Sequence, residues 1–124
     1  MALKPSYNDK LHLPGLSKTE ILILALEASL KLEWNIEEVT PEGARFEVPF
    51  NMYSHGEEIT FTIEPGSDGE VAVRSQSSSV QFVDYGKNRK NIQKLRETME
   101  EIKTSLTPEE LTQKAKDFEE ECNR

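Results

Sequence analysis

Apolar residues recur along this chain with two different periods, and the points where the period changes divide it into elements. Ser17-Lys18-Thr19-Glu20 fits a capping box, with Leu16 and Ile21 in the two positions of a hydrophobic staple. Behind it, Ile21-Leu22-Ile23-Leu24-Ala25-Leu26 is apolar on nearly every side, which predicts a buried helix ending near Leu30 to Leu32. The period then becomes two. Leu32, Trp34 and Ile36 alternate with Glu33, Asn35 and Glu37, the pattern of a first strand. Thr40-Pro41-Glu42-Gly43 is a turn signal, followed by Phe46, Val48 and Phe50 alternating with Arg45, Glu47 and Pro49. A loop at Ser54-His55-Gly56 leads to Ile59, Phe61 and Ile63, and Pro65-Gly66-Ser67-Asp68-Gly69 turns the chain into Val71 and Val73. Short connections favour antiparallel pairing, because parallel strands need a long crossover.

Helical spacing returns in the last third. Ile92, Leu95, Met99, Ile102 and Leu106 form one stripe, opposite Lys90, Lys94, Glu97 and Glu101, so this long helix is expected to cover the apolar face of the sheet. Thr107-Pro108-Glu109-Glu110 starts another helix, whose stripe of Leu111, Ala115, Phe118 and Cys122 is thin. Pro5, Pro14 and Gly15 break any regular pattern before Ser17. The expected organisation is an irregular lead-in over 1–16, a single α+β domain over 17–106 and a C-terminal helix over 107–124. Its sheet has four antiparallel strands, covered by the first helix and the long amphipathic one, in the order α-β-β-β-β-α-α.

Composition narrows the classes. With 124 residues, 15 Lys and Arg against 23 Asp and Glu, the chain carries a formal charge of −8, unlike a general nucleic-acid binder. A single cysteine excludes an internal disulfide framework. No apolar run approaches the roughly 20 residues that cross a bilayer, and the start has no signal-peptide core. A cytoplasmic protein is the expectation.

Catalytic signatures are missing from the sequence. His12, His55 and Cys122 are far apart and form no close pair of metal ligands. There is no Gly-x-Ser-x-Gly elbow and no His-Glu-x-x-His. No carboxylate spacing picks out an acid and a base, so no catalytic residue, metal or cofactor is assigned.

The informative stretch is Arg74 to Ile92. Stepping the long helix's apolar stripe back from Ile92 reaches Asn88 and Tyr85, which places an amide on a face meant for burial. Lys87, Arg89 and Lys90 crowd the first turn, where cations oppose the helix dipole by a few tenths to about 1 kcal/mol each. Residues 84–103 hold six basic and four acidic groups, net +2, against −10 for the remainder. One reading is structural: Asp84 caps the helix, Gly86 eases the passage into it, and Ser75, Ser77 and Asn88 satisfy backbone groups. The other is an anion site, with helix-start amides at Gly86, charge from Arg74, Lys87, Arg89 and Lys90, and hydroxyls from the serines between Ser75 and Ser79, namely Ser75, Ser77, Ser78 and Ser79. Asp84 and Asn88 then hold the geometry without touching the ligand.

Arg74-Ser75-x-Ser77 followed by Asp84-Tyr85-Gly86-Lys87-Asn88 resembles the Arg-Ser-x-Ser…Asp-x-Gly-x-Asn pattern of small uncharacterised bacterial domains, some free-standing and some in soluble portions of membrane proteins. The likeness spans about residues 17 to 104. It implies a bacterial origin and that Arg74, Ser75, Ser77, Asp84, Gly86 and Asn88 form a unit, and it brings no activity with it. The leading expectation is a non-catalytic binding module for an anionic ligand or an acidic protein segment. Two alternatives stand beside it: a homo-oligomer formed through 107–124, whose thin stripe a second chain would complete, and an enzyme acting on a phosphorylated small molecule.

Overall fold

The computed structural model describes residues 5–49, 56–77 and 86–123. Its elements are β1 (Ser6–His12), α1 (Lys18–Lys31), β2 (Asn35–Thr40), β3 (Gly43–Val48), β4 (Glu57–Ile63), β5 (Glu70–Ser77), α2 (Lys87–Ser105) and α3 (Pro108–Cys122). The strands form one sheet in the order β1-β5-β4-β3-β2, every neighbouring pair antiparallel. The α+β class stands, but the sheet has five strands where four were expected, and a strand precedes the first helix. The fifth comes from within the lead-in that looked irregular: Ser6 to His12 pair residue for residue with Gln76 to Glu70. Asn, Asp and Lys at the centre of this segment are depleted in strands, so pairing with the free edge of β5 holds β1 in its conformation.

The strand expected from Leu32 begins later. Leu32 caps α1, Glu33 adopts a left-handed φ of 63°, and the Trp34 amide donates to the Ser29 carbonyl at 2.9 Å. The alternation at 32–34 therefore belongs to a helix end, and β2 starts at Asn35. Trp34 is buried beside Phe46, ring centroids 6.4 Å apart.

One face of the sheet is covered. α1 lies against β2 and β3, α2 against β5 and β1, and the two helices pack on each other. α3 docks along α1, burying Leu111 and Ala115. Neighbours on several sides explain why α1 is apolar nearly all round: Ile21 to Leu26, Ala28 and Ser29 are all buried. Both capping boxes form as expected, Ser17 with Glu20 and Thr107 with Glu110. The thin stripe of α3 is thus seated largely on this chain's own α1, with Lys114–Glu27 and Thr19–Glu119 contacts alongside.

Candidate functional site

The inward positions of the two central strands change character toward one end of the sheet. Along β4 the buried residues run Ile63, Phe61, Ile59 and then Glu57; along β5 they run Val71, Val73 and then Ser75 and Ser77. The register places Ile59 opposite Ser75 and Glu57 opposite Ser77, so the polar positions gather at the same end. The first turns of α2 lie over them with Asn88 and Asn91, before the stripe turns apolar at Ile92, Leu95 and Met99. The period of burial continues unbroken while the residue type switches.

These five side chains are withdrawn from water: Ser75 and Asn88 are 0% exposed, Glu57 and Ser77 2%, and Asn91 5%. Buried polar groups are costly unless bonded, and here the bonding is dense. The Ser75 hydroxyl donates to Asn88 Oδ1 at 2.7 Å and accepts from Asn91 Nδ2 at 3.2 Å. Asn91 Nδ2 also donates to Glu57 Oε1 at 2.9 Å. Asn88 Nδ2 donates to Ser77 Oγ at 3.2 Å and to the Pro5 carbonyl at 3.1 Å. That carbonyl also accepts from the Ser77 amide at 2.9 Å, filling both its lone pairs. The lead into β1, the end of β5, the start of β4 and the start of α2 are tied at one point.

The helix start outside this network is electropositive. Its N-cap is Gly86, left-handed at φ 75°, with no side-chain cap and no acidic residue in the first turn. Asp84, expected as the cap, lies outside the described residues, and Gly86 occupies the N-cap position. Lys87 is half-buried, while Arg89 and Lys90 are exposed. At about 100° per residue, Lys87 and Lys90 share one flank of α2 and Arg89 occupies the other. Arg96, seven residues beyond Arg89, meets Asp9 of β1 at 2.7 Å. A hydrogen bond from Arg96 and another from the Lys10 amide hold the Asp9 carboxyl below its ordinary range, helped by the nearby charges of Arg96 and Arg89.

The structure therefore brings Ser75, Ser77 and Asn88 into one bonded cluster and sets Lys87, Arg89 and Lys90 on the adjoining turn. Arg74 stands apart. It alternates with Ser75 and Ser77 along β5 and is exposed on the opposite, uncovered face of the sheet. Glu57 and Asn91 escaped the sequence reading. Stepping back two residues from Ile59 would have found Glu57, and three residues on from Asn88 would have found Asn91. His55, Ser78, Ser79 and Tyr85 lie outside the described residues, whereas His12 sits 3.5 Å from Glu70 and Cys122 is exposed. Among the described residues no helix is long and apolar enough to cross a membrane.

Over residues 8–99 the chain matches the family described as "Protein of unknown function (DUF1499)". The match runs from Asn8 in β1 to Met99 of α2, and so contains Glu57, Arg74, Ser75, Ser77, Asn88 and Asn91. It begins earlier than the likeness read from the sequence, because β1 is part of the sheet. No curated protein matches the chain. The match covers nearly the whole sheet and the first turns of α2, and the chain belongs to the DUF1499 family.

Proposed function

We propose that this domain is a non-catalytic binding module whose ligand carries a phosphate-like negative charge and sits at the amino end of α2. The observation that carries the reading is a charge pattern: cations at the first, third and fourth positions of a helix whose own first turn holds no acidic residue. Each such cation works against the helix dipole by a few tenths to about 1 kcal/mol, and an anion placed beyond the first-turn amides reverses the sign of that term. Lys87, Arg89 and Lys90 supply charge, and the positive end of the helix dipole adds to it. The buried cluster gives the turn a fixed position, with Asn88 anchoring it without facing the ligand. A fixed site loses less ordering entropy on binding than a mobile one.

An amide-resolved NMR titration of the full chain with inorganic phosphate tests the reading. Amides from Gly86 to Lys90 are expected to shift saturably at millimolar phosphate, less so as sodium chloride is raised. Replacing Lys87, Arg89 and Lys90 together by alanine should abolish those shifts while the remaining spectrum is retained. Unmoved amides in the unaltered protein at millimolar phosphate overturn it.

A further inference from the structure

Arg74 points to a second site, on the uncovered face of the sheet. The other basic side chains there are matched to glutamates: Lys10 to Glu64 at 3.4 Å, His12 to Glu70 at 3.5 Å, and Arg45 to Glu58 at 3.6 Å and Glu38 at 3.9 Å. Arg74 differs. Its cross-strand neighbours are Asn8 on β1 and Thr60 on β4, neutral hydrogen-bonding residues where a carboxylate would have completed the pattern. Among the described residues Arg74 makes no ion pair and no side-chain hydrogen bond, and neither do the side chains of Asn8, Thr60 and Thr62.

The face carries a shallow, open depression at this point. Ala72, the next outward residue of β5, lies between Lys10 and Thr62 in the register, and its small side chain leaves a depression of about 540 Å³ ringed by Asn8, Lys10, Thr60, Thr62 and Arg74. Asp9, paired with inward-facing Val73, turns its carboxylate to Arg96 on the covered side. The depression therefore combines an unmatched guanidinium fork, an ammonium group shared with Glu64, two hydroxyls and an amide.

We infer that this depression binds a small phosphate-bearing molecule, with Arg74 as the principal contact. A guanidinium presents parallel N–H donors that fit two oxygens of one phosphate. Donors arranged around the depression suit a tetrahedral oxyanion better than a planar carboxylate, because its oxygens accept from several directions. The volume left beyond the phosphate accommodates the group it is attached to. This site is independent of the one at α2, which lies on the covered side of the sheet.

The two sites separate in a single experiment. In the same titration with inorganic phosphate, and again with phenyl phosphate, amides of residues 8–10, 60–62 and 72–74 are expected to shift along their own isotherm. Phenyl phosphate should bind the more tightly. Arg74→Gln should weaken binding about tenfold or more, the scale of losing one charge-assisted pair of bonds. Arg74→Lys, which keeps the charge but not the fork, should recover part of it. Ala72→Leu fills the floor without altering any charge and should block phenyl phosphate. The triple alanine variant at Lys87, Arg89 and Lys90 should leave these shifts intact. If these amides stay still at millimolar phosphate, or if Arg74→Gln and Ala72→Leu respond like the unaltered protein, the site does not exist, whatever the amides of α2 report.

Discussion

Removing the Asn88 side chain tests the buried cluster most directly. Among the described residues, Asn88→Ala deletes three hydrogen bonds, from Ser75, to Ser77 and to the Pro5 carbonyl. At about 0.5–1.5 kcal/mol net for each, the loss is roughly 1.5–4.5 kcal/mol. The void left by the amide at a fully buried position adds to it. Folded domains are stable by only about 5–15 kcal/mol, so a loss of about 2–5 kcal/mol is a large fraction. Urea unfolding followed by fluorescence of Trp34, the single tryptophan and a buried one, reads it as a shift in midpoint at constant slope. With a slope of roughly 1–3 kcal/mol per molar, the midpoint should fall by about 1 M or more. Asn88→Asp refines the test: it keeps the acceptor facing Ser75 but loses both donors, so it should be at least as damaging at neutral pH. Combining Asn88→Ala with Ser75→Ala should cost less than the two separately, by about 0.5–3 kcal/mol, as partners in one network do. A single-variant loss below about 0.5 kcal/mol, or strict additivity of the pair, would refute the claim that these bonds fix the start of α2.

Other outcomes follow from the geometry. Asp9 titrates below its unfolded value, so its contribution is fully present above about pH 3.9 and is lost as pH falls through the lower folded pKa. Because Asp9 and Arg96 are about a third or more exposed, Asp9→Asn should cost no more than about 1 kcal/mol at neutral pH, and thermal melts of the two proteins should converge in strong acid. Gly43→Ala drives a Cβ into the Phe61 carbonyl of the neighbouring strand, and a clash of that kind costs roughly 1–3 kcal/mol, measurable by the same urea titration. Lys87→Glu replaces a cation with an anion at the first position of α2. It should raise stability in the absence of ligand by up to about 1 kcal/mol while weakening the phosphate response at Gly86 to Lys90.

Much of this was legible in the chain because it depends on neighbours in sequence. The two capping boxes, the buried run from Ile21 to Leu26, and the alternation of Ile59, Phe61 and Ile63 are local patterns, and each gives its element without reference to the rest. The amide at Asn88 was legible too, by extending the stripe of α2 backwards. Its meaning was not, because Ser75, Ser77, Glu57 and Pro5 reach it from distant parts of the chain.

Where period and propensity agree, sequence alone determined the result: which segments are helices, where α1 and α3 start, and that Asn88 faces inward. Tertiary structure decided the rest. Ser6 to His12 became a strand because β5 offered it an unpaired edge, and the Asn8-Asp9-Lys10 run at its centre does not announce it. The alternation that buries Ser75 and Ser77 sends Arg74 through to the other side of the sheet, so a motif contiguous in sequence serves two faces. A strand's pleat separates adjacent side chains by the full thickness of the sheet, and only strand pairing and helix docking settle which of the two sides is covered.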